Sequence, residues 1–179
     1  ILTGWQTINE KRYYFDSQGF QWTEEKKWLT IGKNRYYFDG SKDSSVYQGF
    51  LELSGNTYYL NAEGRMLTGW QTVDDGNGDS ARYYFNANGV MLEGVSWIGK
   101  DRYVFRDSGK EAGQLVMGSD SLDEGSGMAQ IQGVGTCYAD KNGKLKTGWS
   151  RFTKGGDYEW KYLLEETGAE QTVQNLSEA

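Results

Sequence analysis

Proline and histidine are absent from the 179-residue sequence, and cysteine occurs once, at Cys137. Without histidine, neither a Ser-His-Asp triad, a Cys-His dyad nor the usual histidine-containing zinc site can be assembled. Among the 25 acidic residues nothing singles out a pair of carboxylates for glycoside hydrolysis. We therefore predict a non-catalytic protein with no catalytic residues, no metal site and no cofactor, in which Cys137 is a buried, unreactive thiol.

Basic residues and long apolar runs are also scarce. The chain has 19 Lys and Arg against 25 Asp and Glu, which gives a formal charge of −6. Because neutralising phosphates requires an excess of Lys and Arg, this charge argues against nucleic acid and anionic membranes as partners. No apolar run approaches the roughly 18 residues of a membrane helix, so we expect no membrane insertion. The chain opens on Ile1-Leu2-Thr3-Gly4-Trp5 without a signal peptide, which indicates a piece of a longer protein.

Glycine and aromatic residues are abundant instead, with 25 Gly, 7 Trp, 13 Tyr and 7 Phe, a composition typical of strands and turns. They recur as a repeat in which a Gly-aromatic pair is followed by an aromatic doublet and then by another glycine. The doublet positions of the copies are Tyr13-Tyr14, Tyr36-Tyr37, Tyr58-Tyr59, Tyr83-Tyr84, Tyr103-Val104, Cys137-Tyr138 and Tyr162-Leu163. In the sixth, degraded copy the first strand is either residues 114–117 or residues 128–131. Seven units of about 20 to 25 residues cover nearly the whole chain.

Each unit is predicted to be a β-hairpin with a two-residue turn. In the first unit a turn at Asn9-Glu10 places Trp5 opposite Tyr14 and Ile8 opposite Lys11, and opposed residues share a face. The predicted core face is apolar throughout and consists of Ile8, Tyr13, Phe15, Ile31, Tyr36, Phe38, Leu53, Tyr58, Leu60, Val73, Tyr83, Phe85, Ile98, Tyr103 and Phe105. The opposite face mixes aromatic and polar side chains.

A single hairpin is marginal in water, so the units must stack to bury their apolar faces. The predicted fold class is therefore all-β, a solenoid of stacked β-hairpin repeats. We expect one repeat domain over residues 1–179, with regular repeats in 1–109, an insertion or degraded repeat in 110–135, and the final repeats and tail in 136–179.

The mixed face is the candidate ligand-binding surface. Aromatic walls can cover the apolar face of a sugar ring or a quaternary ammonium, while polar edges form hydrogen bonds. The predicted site residues are three sets, namely Trp5, Arg12 and Tyr14, then Trp28, Arg35 and Tyr37, then Trp70, Arg82 and Tyr84. The alternative is that these aromatics only pack hairpin against hairpin and that each arginine stacks on a neighbouring ring.

Residues 3–8 with 12–16, and 68–73 with 82–86, resemble the cell-wall-binding repeat superfamily. Its members include choline-binding repeats, the glucan-binding repeats of streptococcal glucosyltransferases and the repetitive oligopeptides of large clostridial toxins. The resemblance covers residues 1 to about 109 well and 136 to 168 loosely. It implies an all-β hairpin solenoid, a secreted or cell-surface, cell-wall-associated protein of Gram-positive origin, and a non-catalytic attachment role.

One position departs from the choline-binding branch of that family. There the ligand is caged by the tryptophan after glycine, a second tryptophan that opens the Trp-Tyr-Tyr element, and an aromatic residue of the next strand. In this chain the second tryptophan is replaced by Arg12, Arg35, Thr57, Arg82 and Arg102. A cation beside a quaternary ammonium is repulsive, whereas arginine on an aromatic face suits sugar hydroxyls or an acidic glycan.

The main functional hypothesis is a module that attaches a secreted or surface protein to cell-wall or host polysaccharide. The alternatives are a choline-type teichoic-acid anchor, and a structural spacer or protein-interaction arm without a ligand. Asp75, Asn77 and Asp79 alternate as calcium ligands do, but Ser80 and Asn86 stand where the glycine and the bidentate glutamate belong, so we predict a solvated loop there.

Overall fold

The computed structural model describes residues 1–23, 27–40, 43–74, 79–119, 127–154 and 156–171. Within these ranges, fourteen strands pair as seven two-stranded sheets, each made of consecutive strands. The strands are β1 Gly4–Ile8, β2 Lys11–Phe15, β3 Lys27–Ile31, β4 Asn34–Phe38, β5 Gly49–Leu53, β6 Asn56–Leu60, β7 Gly69–Asp74, β8 Ser80–Phe85, β9 Gly94–Ile98, β10 Asp101–Phe105, β11 Met128–Ile131, β12 Gly135–Tyr138, β13 Gly148–Lys154 and β14 Asp157–Leu163. The same ranges contain no α-helix and one 3₁₀ turn, Gly109–Glu111. The predicted all-β fold of hairpin repeats is confirmed.

The register of the hairpins is the predicted one. Trp5 lies opposite Tyr14 and Ile8 opposite Lys11, around a turn whose residues Asn9 and Glu10 have φ of 51° and 64°. Positive φ at both central residues is the signature of a type I′ turn, whose twist matches that of the strands. The same register recurs in the next two hairpins, which pair Trp28 with Tyr37 and Phe50 with Tyr59.

The sixth hairpin begins at Met128, which settles the choice left open by the sequence. Met128–Ile131 pairs with Gly135–Tyr138, whereas residues 114–117 close the fifth hairpin through a bridge between Leu115 and Phe105. Cys137 on β12 is fully buried, and this burial, helped by the negative charge of Asp107, raises the pKa of its thiol to about 11. The thiol is therefore protonated and shielded, as predicted.

A tight loop follows the second strand in several hairpins, among them β2, β6, β8 and β12, and reverses the direction of the chain. In the first loop one carboxylate oxygen of Asp16 accepts hydrogen bonds from the backbone N–H groups of Gln18 and Phe20, both at 2.9 Å. Asn61, Asn86 and Asp140 accept equivalent pairs of bonds in later loops. Such side-chain to backbone bonds explain why Asp or Asn stands two residues after the doublet in these repeats.

The residues after each loop, which we name closing segments, connect neighbouring hairpins. The closing segments are residues 21–22, 46–47, 66–67, 91–92, 115–116, 145–146 and 170–171. Val46 N–H donates to the carbonyl of Arg12, and Met66 N–H to the carbonyl of Arg35, both at 2.8 Å. Each bond joins a closing segment to the hairpin that precedes its own. The backbone of one repeat is thus satisfied by its neighbour, which makes stacking a requirement of the fold.

Burial follows the predicted face only in part, because eight of its fifteen residues are partly buried, namely Tyr13, Phe15, Ile31, Leu53, Tyr58, Val73, Ile98 and Tyr103. Tyr36, Phe38, Leu60, Tyr83, Phe85 and Phe105 of that face are buried, and Tyr36 and Tyr83 are more buried than the arginines before them. Ile8, in contrast, is 41% exposed. On the mixed face, Tyr37 and Val104 are buried as well. A hairpin inside a stack has a neighbour on each side, so both of its faces contribute to the core.

The chain divides into two compact units, residues 1–71 with 85–91 and residues 72–84 with 92–179. The first unit has cores around Tyr36 and Phe38 and around Leu51 and Leu60. The largest core of the second unit joins Val104, Val116, Ala129, Ile131, Cys137 and Ala139. No helix among the described residues is long and apolar enough to cross a membrane. The possible calcium ligands Asp75 and Asn77 lie outside the described ranges.

Candidate functional site

The first predicted set, Trp5, Arg12 and Tyr14, comes together on one face of the β1–β2 hairpin. Trp5 and Tyr14 are directly opposed, with ring centroids 5.2 Å apart and planes inclined at 62°. The guanidinium carbon of Arg12 lies 4.0 Å from the centroid of the Trp5 ring. The stacking of arginine on a neighbouring ring, given above as the alternative to a binding role, is therefore present.

The second set repeats this geometry on the β3–β4 hairpin. The centroids of Trp28 and Tyr37 are 5.3 Å apart at 68°, and the guanidinium carbon of Arg35 is 4.5 Å from the Trp28 centroid. On the third hairpin Phe50 and Tyr59 form the same edge-to-face pair at 4.8 Å. There Thr57 occupies the arginine position, and the aromatic pair keeps its geometry.

Each tryptophan also packs on the next hairpin. Trp5 lies 4.5 Å from Tyr36, and Trp28 lies 5.2 Å from Tyr58, centroid to centroid. Aromatic pairs at such distances add about 0.5 to 1.5 kcal/mol each beyond their buried area. These tryptophans therefore serve the stack, and a ligand can reach only their remaining surface.

The tyrosines of the two sets differ in accessibility. Tyr37 is 3% exposed and offers a ligand almost no surface, whereas Tyr14 is only partly buried. Burial raises the pKa of Tyr37, with the negative charge of Asp39 adding to the shift. Tyr37 accordingly stays neutral and packs edge-to-face against Trp28.

The third predicted set lies on β7 and β8, which pair with each other. Trp70 and Tyr84 are partly buried and Arg82 is exposed. Their place as a binding set stays a prediction.

Two aromatic residues that the repeat pattern missed lie beside the first two sets. Trp22 and Tyr47 occupy the same position of successive closing segments. The backbone N–H of Trp22 donates to the carbonyl of Tyr14 at 2.8 Å, and the backbone N–H of Tyr47 donates to the carbonyl of Tyr37 at 2.7 Å. The rings of Tyr37 and Tyr47 are 6.2 Å apart. The indole N–H of Trp22 is buried and has no hydrogen-bond partner in the described structure. Aligning the closing segments, where Leu67 and Leu92 take this position, would have revealed both residues.

The two arginines have different surroundings. Arg12 donates a hydrogen bond from Nη1 to the carbonyl of Glu63, so part of its guanidinium is engaged. Within the described ranges, the Arg35 side chain stacks on Trp28 without a hydrogen bond or an ion pair. The second site therefore combines half-buried aromatic surface with a positioned set of hydrogen-bond donors.

Comparisons with known proteins identify the repeat. Residues 2–50 match the choline-binding repeat family, and residues 48–66 and 68–91 match the putative cell wall binding repeat family. The glucosyltransferase-S of Streptococcus mutans is 36% identical over 123 residues, which are 68% of this chain and 8% of that protein. The chain belongs to the cell-wall-binding repeat superfamily, and it spans a small fraction of this curated relative.

Solved structures agree on the fold. Choline binding protein F of Streptococcus pneumoniae is 24% identical, with a TM-score of 0.67 over 96% of this chain and 48% of its own. CbpJ of Streptococcus pneumoniae TIGR4 is 25% identical, with a TM-score of 0.64 over 95% of this chain and 52% of its own. This chain is thus a module of choline-binding-type and cell-wall-binding repeats, and the resemblance stated from the sequence is confirmed.

Proposed function

We propose that this chain is the non-catalytic attachment module of a secreted or surface bacterial protein and that it binds a polysaccharide, a glucan in preference to choline-bearing teichoic acid. The ligand-contacting residues in this proposal are the exposed parts of the three sets defined by Trp5, Trp28 and Trp70. The named activity of the matched relative, a glucosyltransferase, supports a glucosyl polymer as ligand.

The observation that carries the proposal is the position of the arginines. Arg12 and Arg35 lie 4.0 and 4.5 Å from the centroids of Trp5 and Trp28. A quaternary ammonium gains its binding energy by approaching the face of such a ring within about 6 Å. Because a guanidinium already lies there, choline would have to displace it or approach a like charge. Both routes weaken choline binding.

The same arginines favour a neutral glycan. A guanidinium is planar and carries five N–H donors, and stacking on an indole restricts its motion before any ligand arrives. Less side-chain entropy is then lost when a sugar hydroxyl accepts a hydrogen bond. The adjoining aromatic surface can pack against the apolar face of the pyranose ring.

Single sites of this open kind are expected to be weak, with Kd of about 0.1 to 1 mM, or about 4 to 5.5 kcal/mol. Useful retention comes from repetition, because several sites on one chain engage one polymer and raise its effective concentration. Repetition of the hairpin thus becomes multivalency.

The test is binding to an insoluble glucan by sedimentation, with Arg35→Ala as the variant. Arg65→Ala is the matched control, since Arg65 is an exposed arginine of the same unit whose guanidinium pairs with Glu63 at 3.7 Å instead of stacking on a ring. A lost charged hydrogen bond costs about 1.5 to 3 kcal/mol, so Arg35→Ala should weaken binding about tenfold or more with little change in melting temperature.

The control separates the proposal from its alternatives. Arg65→Ala should bind as the wild type does. If the wild type binds no polysaccharide, the spacer interpretation replaces the proposal. If Arg35→Ala and Arg65→Ala bind equally well, the assignment of Arg35 to the site is wrong.

A further inference from the structure

Trp97 on β9 is 66% exposed. It is the fourth residue of its strand, and in the four preceding hairpins this position holds the polar residues Thr7, Thr30, Glu52 and Thr72. All four of those residues are exposed as well. The second and third hairpins have a described hairpin both before and after them in the chain. Exposure is therefore a property of this position of the repeat, and a tryptophan placed there is open to solvent.

The stacking of the hairpins does not require the Trp97 ring. In the first two hairpins the aromatic residue that packs on the next hairpin is the second residue of its strand, and in β9 that residue is Val95. Val95 packs against the core cluster that contains Val104. Within the described ranges, the Trp97 ring stacks with a guanidinium and with no other aromatic ring. Its indole surface is therefore available to a ligand.

Arg102 fixes the orientation of this ring. The two residues are paired across the hairpin, and the guanidinium carbon of Arg102 lies 5.3 Å from the centroid of the Trp97 ring. Nη2 donates to the carbonyl of Glu165 at 2.6 Å, and Nη1 donates to the carbonyl of Glu166. Because a guanidinium is a planar, rigid fork, these two carbonyls hold it in one orientation over the indole. The ring is thus supported on one face and open on the other.

The surroundings of the ring select the kind of ligand. A guanidinium behind the indole repels a second cation at the ring, which argues against a quaternary ammonium. Gly99, Lys100 and Asp101 form the turn beside Trp97 and carry no large apolar side chain, so the apolar surface is one ring wide, smaller than the patch of a protein interface. A neutral pyranose ring satisfies both conditions, because its apolar face covers one indole while its hydroxyl groups stay in water.

We propose that Trp97 is a further sugar-binding platform of this chain, which stacks on the apolar face of a neutral pyranose ring, and that Arg102 is its positioning residue. This inference rests on the proposed function, since it takes the same glucosyl polymer as ligand. The platform differs from the three sets defined by Trp5, Trp28 and Trp70, because its tryptophan lies outside the hairpin junction. One more weak site in the second unit increases the avidity of the module for a polymer.

The test is a titration of the isotope-labelled full chain with maltoheptaose and, separately, with isomaltoheptaose, followed by NMR. The reporter is the indole N–H signal of Trp97, which is identified by its absence in Trp97→Thr. That variant introduces the residue type found at the same position in Thr7 and Thr30, so it should fold with little change in melting temperature. At least one of the two oligosaccharides should shift the Trp97 signal with a Kd of about 0.1 to 1 mM.

The backbone amide signal of Arg102 reports binding in the Trp97 variants. Trp97→Tyr keeps an aromatic ring and should retain saturable binding. Trp97→Thr should weaken binding about tenfold or more, as truncation of a tryptophan at a binding hot spot does. Arg102→Lys keeps the positive charge but not the fork that bonds two carbonyls, so it should raise the Kd reported by the Trp97 signal without abolishing saturation.

The outcomes separate this inference from the proposed function. If the wild type sediments with insoluble glucan but neither oligosaccharide moves the Trp97 signal, the inference is wrong and the proposed function stands. If the Trp97 signal saturates while Arg35→Ala sediments as the wild type does, the Trp97 platform stands and the assignment of Arg35 is wrong. If the wild type binds neither insoluble glucan nor either oligosaccharide, both are wrong. A Trp97 signal that saturates with choline chloride and with neither sugar assigns the ring to a cation instead.

Discussion

Two neighbouring hairpins pack closely at Gly64, and substitution of this glycine by alanine tests that contact. Gly64 closes the loop after β6 with a φ of +78°, and a Cβ added there would lie 2.4 Å from Cγ2 and 2.7 Å from Cγ1 of Val46. Val46 is buried in the closing segment of the preceding hairpin. As a β-branched residue it has few rotamers with which to move away. Gly64→Ala should therefore separate two hairpins.

Gly55 provides the matched control for the backbone. It has nearly the same φ, +76°, but a Cβ added there meets nothing within 4 Å. A left-handed conformation costs a residue with a Cβ about 1 to 2 kcal/mol, and both alanine variants incur this cost. Overpacking adds about 1 to 3 kcal/mol at Gly64 alone. The expected losses of unfolding free energy are about 1 to 2 kcal/mol for Gly55→Ala and about 2 to 5 kcal/mol for Gly64→Ala.

Urea unfolding followed by tryptophan fluorescence measures both values. Equal losses in the two variants would refute the reasoning, because they would mean that the loop does not press on Val46. The contact is a feature of the repeat, since Gly89, Gly143 and Gly168 approach Met66, Leu115 and Leu145 in the same way.

Two further predictions concern choline and pH. Tryptophan fluorescence titrated with choline should show no saturable change below tens of millimolar, because Arg12 and Arg35 lie over their indole rings; saturation near about 1 mM would contradict the proposed ligand preference. Burial alone would raise the pKa of Glu170, but hydrogen bonds from Tyr138 and Lys161 hold it below its usual value. The ionised Glu170 with its two partners therefore stabilises the fold at pH values above the pKa of an unfolded glutamate, about 4.3. This stabilisation is lost as pH falls through the lower pKa of Glu170 in the folded protein. The advantage of the wild type over Glu170→Gln in urea should shrink between about pH 6 and about pH 3, and an unchanged difference would contradict this account.

The hairpins could be predicted because their signals are local. Alternation of side chains and a two-residue turn fix which residues oppose each other, and the pairing of Trp5 with Tyr14 follows from those alone. The first strand of the sixth hairpin stayed open, because residues 114–117 are as apolar as a strand although they contain a closing segment. The bridge between Leu115 and Phe105 assigns residues 114–117 to the fifth hairpin. The alternation of side chains along the sequence does not indicate this contact.

The candidate site was harder to predict, because hairpin alternation does not show what covers each face. The pattern grouped Trp28, Arg35 and Tyr37 correctly, yet it could not show that Tyr37 is 3% exposed. That burial comes from the next hairpin, whose Leu51 and Leu60 form a core cluster with Tyr37. Trp22 and Tyr47 were missed because they lie in closing segments, outside the alternating strands.

Packing and binding therefore place different demands on one face of the hairpin. The aromatic pair is kept in the first three hairpins, and Phe50 with Tyr59 retains its edge-to-face geometry although Thr57 replaces the arginine. The fifth hairpin stacks on the sixth with Val95 and Val104 in place of the pair. The position occupied by Arg12, Arg35 or Thr57 is consequently free to vary without loss of the stack. A cation at this position obstructs a quaternary ammonium and supplies donors to hydroxyl groups. Under the proposed function, ligand preference can then change by single substitutions, one hairpin at a time, while the packed residues preserve the fold.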